Sequence, residues 1–210
     1  MSCGTILLTF ILGVRSMHSY AKKLNSINLP LVEGEFPMIP FDLKTLTGLP
    51  EEFKHIAKAM LKRIEHGGGK AYFTLHGKRL RKGETLRRGG AHVDGNYEPH
   101  VMDFGGGGWK VGQEGRDVNH PTHIRQFNST TGGIVICSNY HACNGWIGEY
   151  EGLPNKGGDC THLALGESFE LEPDTVYYGN NHFIHESLPM SDDVHRVMAR
   201  ITLPEDHVYS

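Results

Sequence analysis

The spacing of apolar positions predicts one helix and then a long β-rich tail. In "LPEEFKHIAKAMLKRIEHGGG", Phe53, Ile56, Ala57, Met60 and Ile64 recur at intervals of three and four, one face of a helix over residues 48–66. Pro50, Glu51 and Glu52 suit its first turn, Lys62 and Arg63 its last, and Gly67 ends it. From about residue 70 the pattern changes to short β-rich runs punctuated by glycine: "AYFTL", "GGIVICSN", "THLAL", "VYYG", "HFIHESL" and "HRVMARITL". No alternation of strand and helix follows, so the expected fold is mainly β. A sandwich or jelly roll over residues 70–205, with the N-terminal helix packed on one face, fits this order. Residues 98–132 and 140–160 read as long glycine-rich loops.

A chain of 210 residues is most simply a single domain, 1–210. The stretch "TILLTFILGV" is too short to span a bilayer. It lacks the preceding positive charge and the cleavage site of a secretory leader, so a cytoplasmic protein is expected, with secretion as the competing reading. A buried strand or helix packed on the core is the expected reading of this stretch; a third is that translation begins at Met17, which would leave residues 1–16 extraneous. Four cysteines without a CxxC pair fit a reducing compartment.

Charge is nearly balanced, 21 basic against 24 acidic side chains, which argues against a global nucleic-acid binder. It is nevertheless segregated. Lys78, Arg79, Arg81, Lys82, Arg87 and Arg88 crowd into one run, while residues 161–194 hold acidic groups and no Lys or Arg. Such a run is ordinarily a solvated hairpin face. Because it leads into "GGAHVDGNY", it also raises the prospect of an anionic substrate, although the interleaved aromatics of a nucleic-acid platform are missing.

Fourteen histidines make metal chemistry worth testing. On a strand His92 and Asp94 project to one side and Val93 to the other. His185, in "HFIHESLP", offers a third ligand. Two imidazoles and a carboxylate on rigid strands, with further positions open, suit ferrous iron. Farther on, Arg196, Met198 and Arg200 share one face of "HRVMARITL", while Val197, Ala199 and Ile201 share the other. Inward arginines on an apolar strand are costly to bury unless an anion meets them, and a dicarboxylate would do so.

In these residues the chain resembles the iron(II) and 2-oxoglutarate dependent dioxygenases, whose signature is His-x-Asp, a distant His and an Arg or Lys ten to fifteen residues beyond, on a double-stranded β-helix (jelly roll). The likeness covers residues 90–202. Arg196, eleven residues after His185, is spaced as in the taurine dioxygenase and phytanoyl-CoA hydroxylase branches; Arg200, beside Thr202, fits the Arg-x-Ser/Thr pattern of others. The resemblance implies that His92, Asp94 and His185 hold Fe(II) and act in catalysis, and that Arg196 or Arg200 binds 2-oxoglutarate. It further implies hydroxylation of an unactivated C–H bond coupled to oxidative decarboxylation of 2-oxoglutarate to succinate, with ascorbate as a candidate reductant. The expected partner is a small molecule or peptide side chain, anionic if the basic run takes part, rather than nucleic acid or membrane.

Tyr97, Trp109, Trp146, Tyr177 and Tyr178 are candidate pocket walls, and "GGGGWK" a candidate flap. Two other function classes compete: a cupin-like metalloprotein without oxygenase activity, and a binding module on a jelly-roll frame. Within the resemblance, oxidation of a nucleotide or nucleic acid is the alternative substrate class. A rival zinc site would use Cys137, His141, Cys143, Cys160 and His162, though their spacing matches no familiar module.

Overall fold

The computed structural model describes residues 16–94, 132–155, 158–204 and 207–208. Among these the chain is mainly β, with antiparallel sheets and one short helix. In chain order the elements are β1 (Ser16–Ser19), β2 (Ala21–Ser26), β3 (Gly34–Asp42), α1 (Glu51–Leu61), β4 (Lys70–Leu80), β5 (Ile134–Ser138), β6 (Cys143–Trp146), β7 (Gly148–Glu151), β8 (Phe169–Glu170), β9 (Thr175–Gly179), β10 (Ile184–Ser187) and β11 (Val194–Thr202). A six-stranded sheet runs β2-β9-β5-β11-β4-β3, a three-stranded sheet β10-β6-β8, and β1 pairs with β7.

Alternation along β11 explains the layering. Val197, Ala199 and Ile201 turn to one side of the large sheet and pack with Phe73, Leu75 and Val135 beneath Phe53, Ile56, Ala57 and Met60 of α1. Met198 turns to the other side, where Ile134, Ile136 and Tyr177 of the large sheet meet Cys143 and Phe183. Two sheets facing one another across this second cluster are consistent with a β-sandwich. The interior between the sheets holds the site described below.

Several local expectations need correction. The helix is shorter than 48–66 at both ends. Pro50 stands at its N-cap, and beyond Leu61 the amide of Ile64 donates to the Leu61 carbonyl at 3.0 Å, a tighter turn that still buries Ile64. "THLAL" is no strand: the Asp159 carboxylate accepts from both the amide and the hydroxyl of Thr161, and Leu163 N–H closes a turn on the Cys160 carbonyl. Residues 140–160 are not simply a loop, since they supply β6 and β7. The N-terminal strands β1 to β3 carried no clear pattern. Residues 1–15, including the apolar stretch, lie outside the described residues, as does all of "GGGGWK". Among the described residues no helix is long and apolar enough to cross a membrane.

Candidate metal centre

The backbone brings the two histidines together. His92 N–H donates to the His185 carbonyl and His185 N–H to the His92 carbonyl, each at 2.9 Å, an antiparallel hydrogen-bonded pair that sends both side chains to one side. The other edge of the 91–93 segment is held as well: Val93 N–H donates to the Gly158 carbonyl and Cys160 N–H to the Ala91 carbonyl. Val93 and Ile184 turn away into an apolar cluster with Ala91, Trp146 and Cys160. His92, Asp94 and His185 thereby converge as buried neighbours, one ligand atom from each lying within 4.8 Å of the others.

The tautomers suit metal binding. His92 Nδ1 lies 2.7 Å from the Gly90 carbonyl and His185 Nδ1 lies 3.0 Å from that of Phe183. A carbonyl only accepts, so each Nδ1 donates a proton to it, an arrangement that orients each ring and leaves Nε2 as the atom that could meet a metal. His185 Nε2 stands 3.3 Å from Asp94 Oδ2. Phe183 stacks on the His185 ring at 5.4 Å between centroids, and Gly145, opposite His185 on β6, leaves room for it. A Cβ there would come within 2.8 Å of the Phe169 and Phe183 rings. Burial, with the neighbouring His185 adding to it, pushes the His92 imidazole down to about 4, which keeps it neutral at ordinary pH. Burial alone would raise the Asp94 carboxyl, but Arg200, His185 and His92 outweigh it and hold it well below the usual range. Two imidazoles and one carboxylate, buried together, could bind a metal ion.

The two arginines of β11 have different partners. Arg200, 2 % exposed, donates through Nη1 to Asp94 Oδ2, and its Nη2 approaches Met38 Sδ at 3.8 Å. A register shift in β3 between Phe36 and Ile39 accompanies that placement of Met38. Arg196 is fully buried, at 0 % exposure. Its Nη1 donates to Ser187 Oγ at 2.8 Å, its Nε to Ser138 Oγ at 3.3 Å and its Nη2 to Cys143 Sγ at 3.0 Å. Burial raises the Cys143 thiol above its ordinary value, against the pull of Arg196, so the thiol stays neutral. Among the described residues, then, no carboxylate is hydrogen-bonded or ion-paired to Arg196. Both arginines and the three candidate ligands line one cavity of about 480 Å³, whose walls also include His76, Arg87, Glu186 and Met198.

Other sequence candidates fall elsewhere. Trp146, Tyr177 and Tyr178 are core residues and do not line this cavity; Tyr178 instead hydrogen-bonds His207 at 2.6 Å. Tyr97 and Trp109 lie outside the described residues. The rival zinc set does not assemble among the described residues: His141 faces Glu170, His162 faces Asn155 and Asp159, and Cys143 faces Arg196. The basic run divides. Lys78, Arg79, Arg81 and Lys82 are exposed, whereas Arg87 folds against the cavity and pairs with Glu35 at 2.9 Å. Sequence reasoning overlooked His76, Ser138 and Ser187. The only signal for His76 was strand pairing, because β4 sets it beside Met198.

Against known proteins, no family model, no curated protein and no solved structure matches the chain.

Proposed function

We propose that this protein is a non-haem iron(II) and 2-oxoglutarate dependent oxygenase that hydroxylates an unactivated C–H bond of its substrate. The observation that carries the reading is Arg196, a buried guanidinium whose hydrogen-bond partners among the described residues are all neutral, in the same cavity as two imidazoles and a carboxylate. A buried cation without a counter-charge costs several kcal/mol, so its retention is explained by an anionic ligand. The strand orders support a double-stranded β-helix as the frame. His92 bridges β10 at the edge of the small sheet, and β11 lies between β4 and β5 in the large one.

His92 and His185 would hold the ion through Nε2 and Asp94 through its carboxylate, a donor set that suits ferrous iron and leaves positions open. When bound, the iron supplies dioxygen activation coupled to decarboxylation of 2-oxoglutarate to succinate and carbon dioxide. The protein's own residues orient and enclose. Arg196 pairs with the far carboxylate of 2-oxoglutarate in a charge-assisted contact. Ser138 and Ser187 fix the guanidinium plane, and Met198 supplies apolar wall.

The test is iron-dependent release of labelled succinate from 2-oxoglutarate, with or without a primary substrate. Turnover in the wild type that disappears in His185→Ala supports the reading. Iron binding without any 2-oxoglutarate turnover would instead favour a cupin-like metalloprotein.

A further inference from the structure

We infer that Arg87 and His76 form a second anion subsite in this cavity, which receives a carboxylate or phosphate group of a small-molecule primary substrate. Its role as a substrate site rests on the oxygenase reading; the binding itself does not.

A row of side chains crosses the large sheet on its cavity face. Glu35 of β3 is in register with His76 of β4, which is in register with Met198 of β11, which is in register with Ser138 of β5. Arg87, from the segment after β4, closes over this row. Only 27 % of its side chain is exposed. It gives one N–H to Glu35 at 2.9 Å and makes no other hydrogen bond among the described residues, so most of its five donors remain for a ligand. Burial, and next to it the Arg200 charge, push the Arg87 guanidinium below its ordinary value, which marks a cation crowded by another cation.

His76 supplies a neutral donor beside it. Its Nδ1 is buried and has no hydrogen-bond partner among the described residues, an uncommon condition that a ligand would relieve. Burial pushes its imidazole below the ordinary value, so the ring enters as a neutral group able to present an N–H.

Charge within the cavity favours an anion over a cation. Among the described residues, Arg87, Arg88, Arg196 and Arg200 line it against Glu35, Asp94 and Glu186. A divalent ion and a dianionic co-substrate cancel each other, so the loaded cavity keeps its positive excess. Glu35 is the half-exposed member at 46 %, where solvent weakens its hold on Arg87. A cavity of about 480 Å³ lies within the range of roughly 300–1,000 Å³ that takes small molecules.

The probes are inorganic phosphate and acetate, titrated separately into the metal-free protein and again into zinc-loaded protein with 2-oxoglutarate present. The readout is the nitrogen-15 side-chain resonances of Arg87 and His76. Saturable shifts at both residues are expected. The dissociation constant should rise about tenfold or more in Arg87→Gln. Glu35→Gln, which removes the competing carboxylate from the rim, should bind the probe more tightly than the wild type. A response to phosphate alone assigns a phosphate ester, and a response to acetate alone a carboxylate. Absence of saturable shifts, or an affinity unchanged in both variants, overturns the subsite. Wild-type turnover of 2-oxoglutarate is measured in parallel. Shifts without turnover keep the subsite and sink the oxygenase reading, while turnover without shifts does the reverse.

Discussion

His92 and His185, almost half the chain apart, exchange both backbone hydrogen bonds at 2.9 Å, and their rings lie 4.7 Å between centroids. The backbone pairing fixes the spacing of the two residues. His185→Ala should therefore leave the fold in place, because the backbone pair does not depend on the imidazole. Metal affinity should fall by more than the ~10–100-fold that even an outer partner of a ligand is worth. Metal content by elemental analysis, with circular dichroism as the folding control, checks this. Retention of the ion at full stoichiometry and affinity would remove His185 from the ligand set.

Arg196 and Arg200 should separate in kinetics. Truncating one member of a buried charge pair costs about 2–5 kcal/mol. Arg196→Gln should accordingly raise the KM for 2-oxoglutarate tenfold or more while iron content stays near that of the wild type. Arg200→Gln should act mainly on the metal site, because Arg200 donates to Asp94. Comparing KM and bound iron for the two variants decides it; a KM effect confined to Arg200→Gln would reverse the assignment.

Acid should destabilise the metal-free protein through His92. Its imidazole falls from the ordinary 6.5 to about 4 on folding, chiefly through burial. Between those values the unfolded chain binds a proton that the folded protein excludes, so stability is fully present above pH 6.5 and is lost as pH falls toward 4. The loss is at most about 3 kcal/mol. Asp94 stays ionised through this window because its carboxyl is held well below the usual range. Urea unfolding at pH 7.5 and 4.5 measures the slope, which should flatten in His92→Gln. An equal slope in that variant would assign the acid sensitivity to other groups.

Gly145→Ala tests how the His185 ring is supported. The added methyl would fall within 2.8 Å of Phe183, which stacks on His185. Overpacking of this kind costs roughly 1–3 kcal/mol. The expected result is a lower unfolding midpoint together with weaker metal binding. Gly166→Ala, where a Cβ meets nothing within 4 Å, serves as the comparison, its cost coming from positive φ alone. Unaltered metal affinity in Gly145→Ala would show that the ring does not need this support.

Much of the site was legible because strand alternation is a strong constraint. Once "HRVMARITL" is read as a strand, Arg196, Met198 and Arg200 must share a side, and they line the cavity. His92 and Asp94 also reach one site, although residues 91–94 form no strand and His92 makes only isolated bridges. The difference between the surroundings of Arg196 and Arg200 was not legible, since both face inward and only their partners differ. Those partners come from β5, β6, β10 and the His92 segment, contacts across the sheets that no local pattern encodes. Trp146, Tyr177 and Tyr178 misled for the opposite reason: large aromatic rings fill a core as readily as they line a pocket. The helix ends were off because the last turn tightens while Ile64 stays buried, which leaves the apolar rhythm intact past the final α-helical bond.

The pairing of β4 with β11 bears on how the molecule is made. A nascent chain extruded as far as β9 already carries His92 and Asp94, yet the strand that completes the triad and the strand that supplies both arginines are still to be synthesised. Any ion held by these three residues would thereby be taken up only once translation has passed β10, and a product truncated before that strand would lack one of the three candidate ligands.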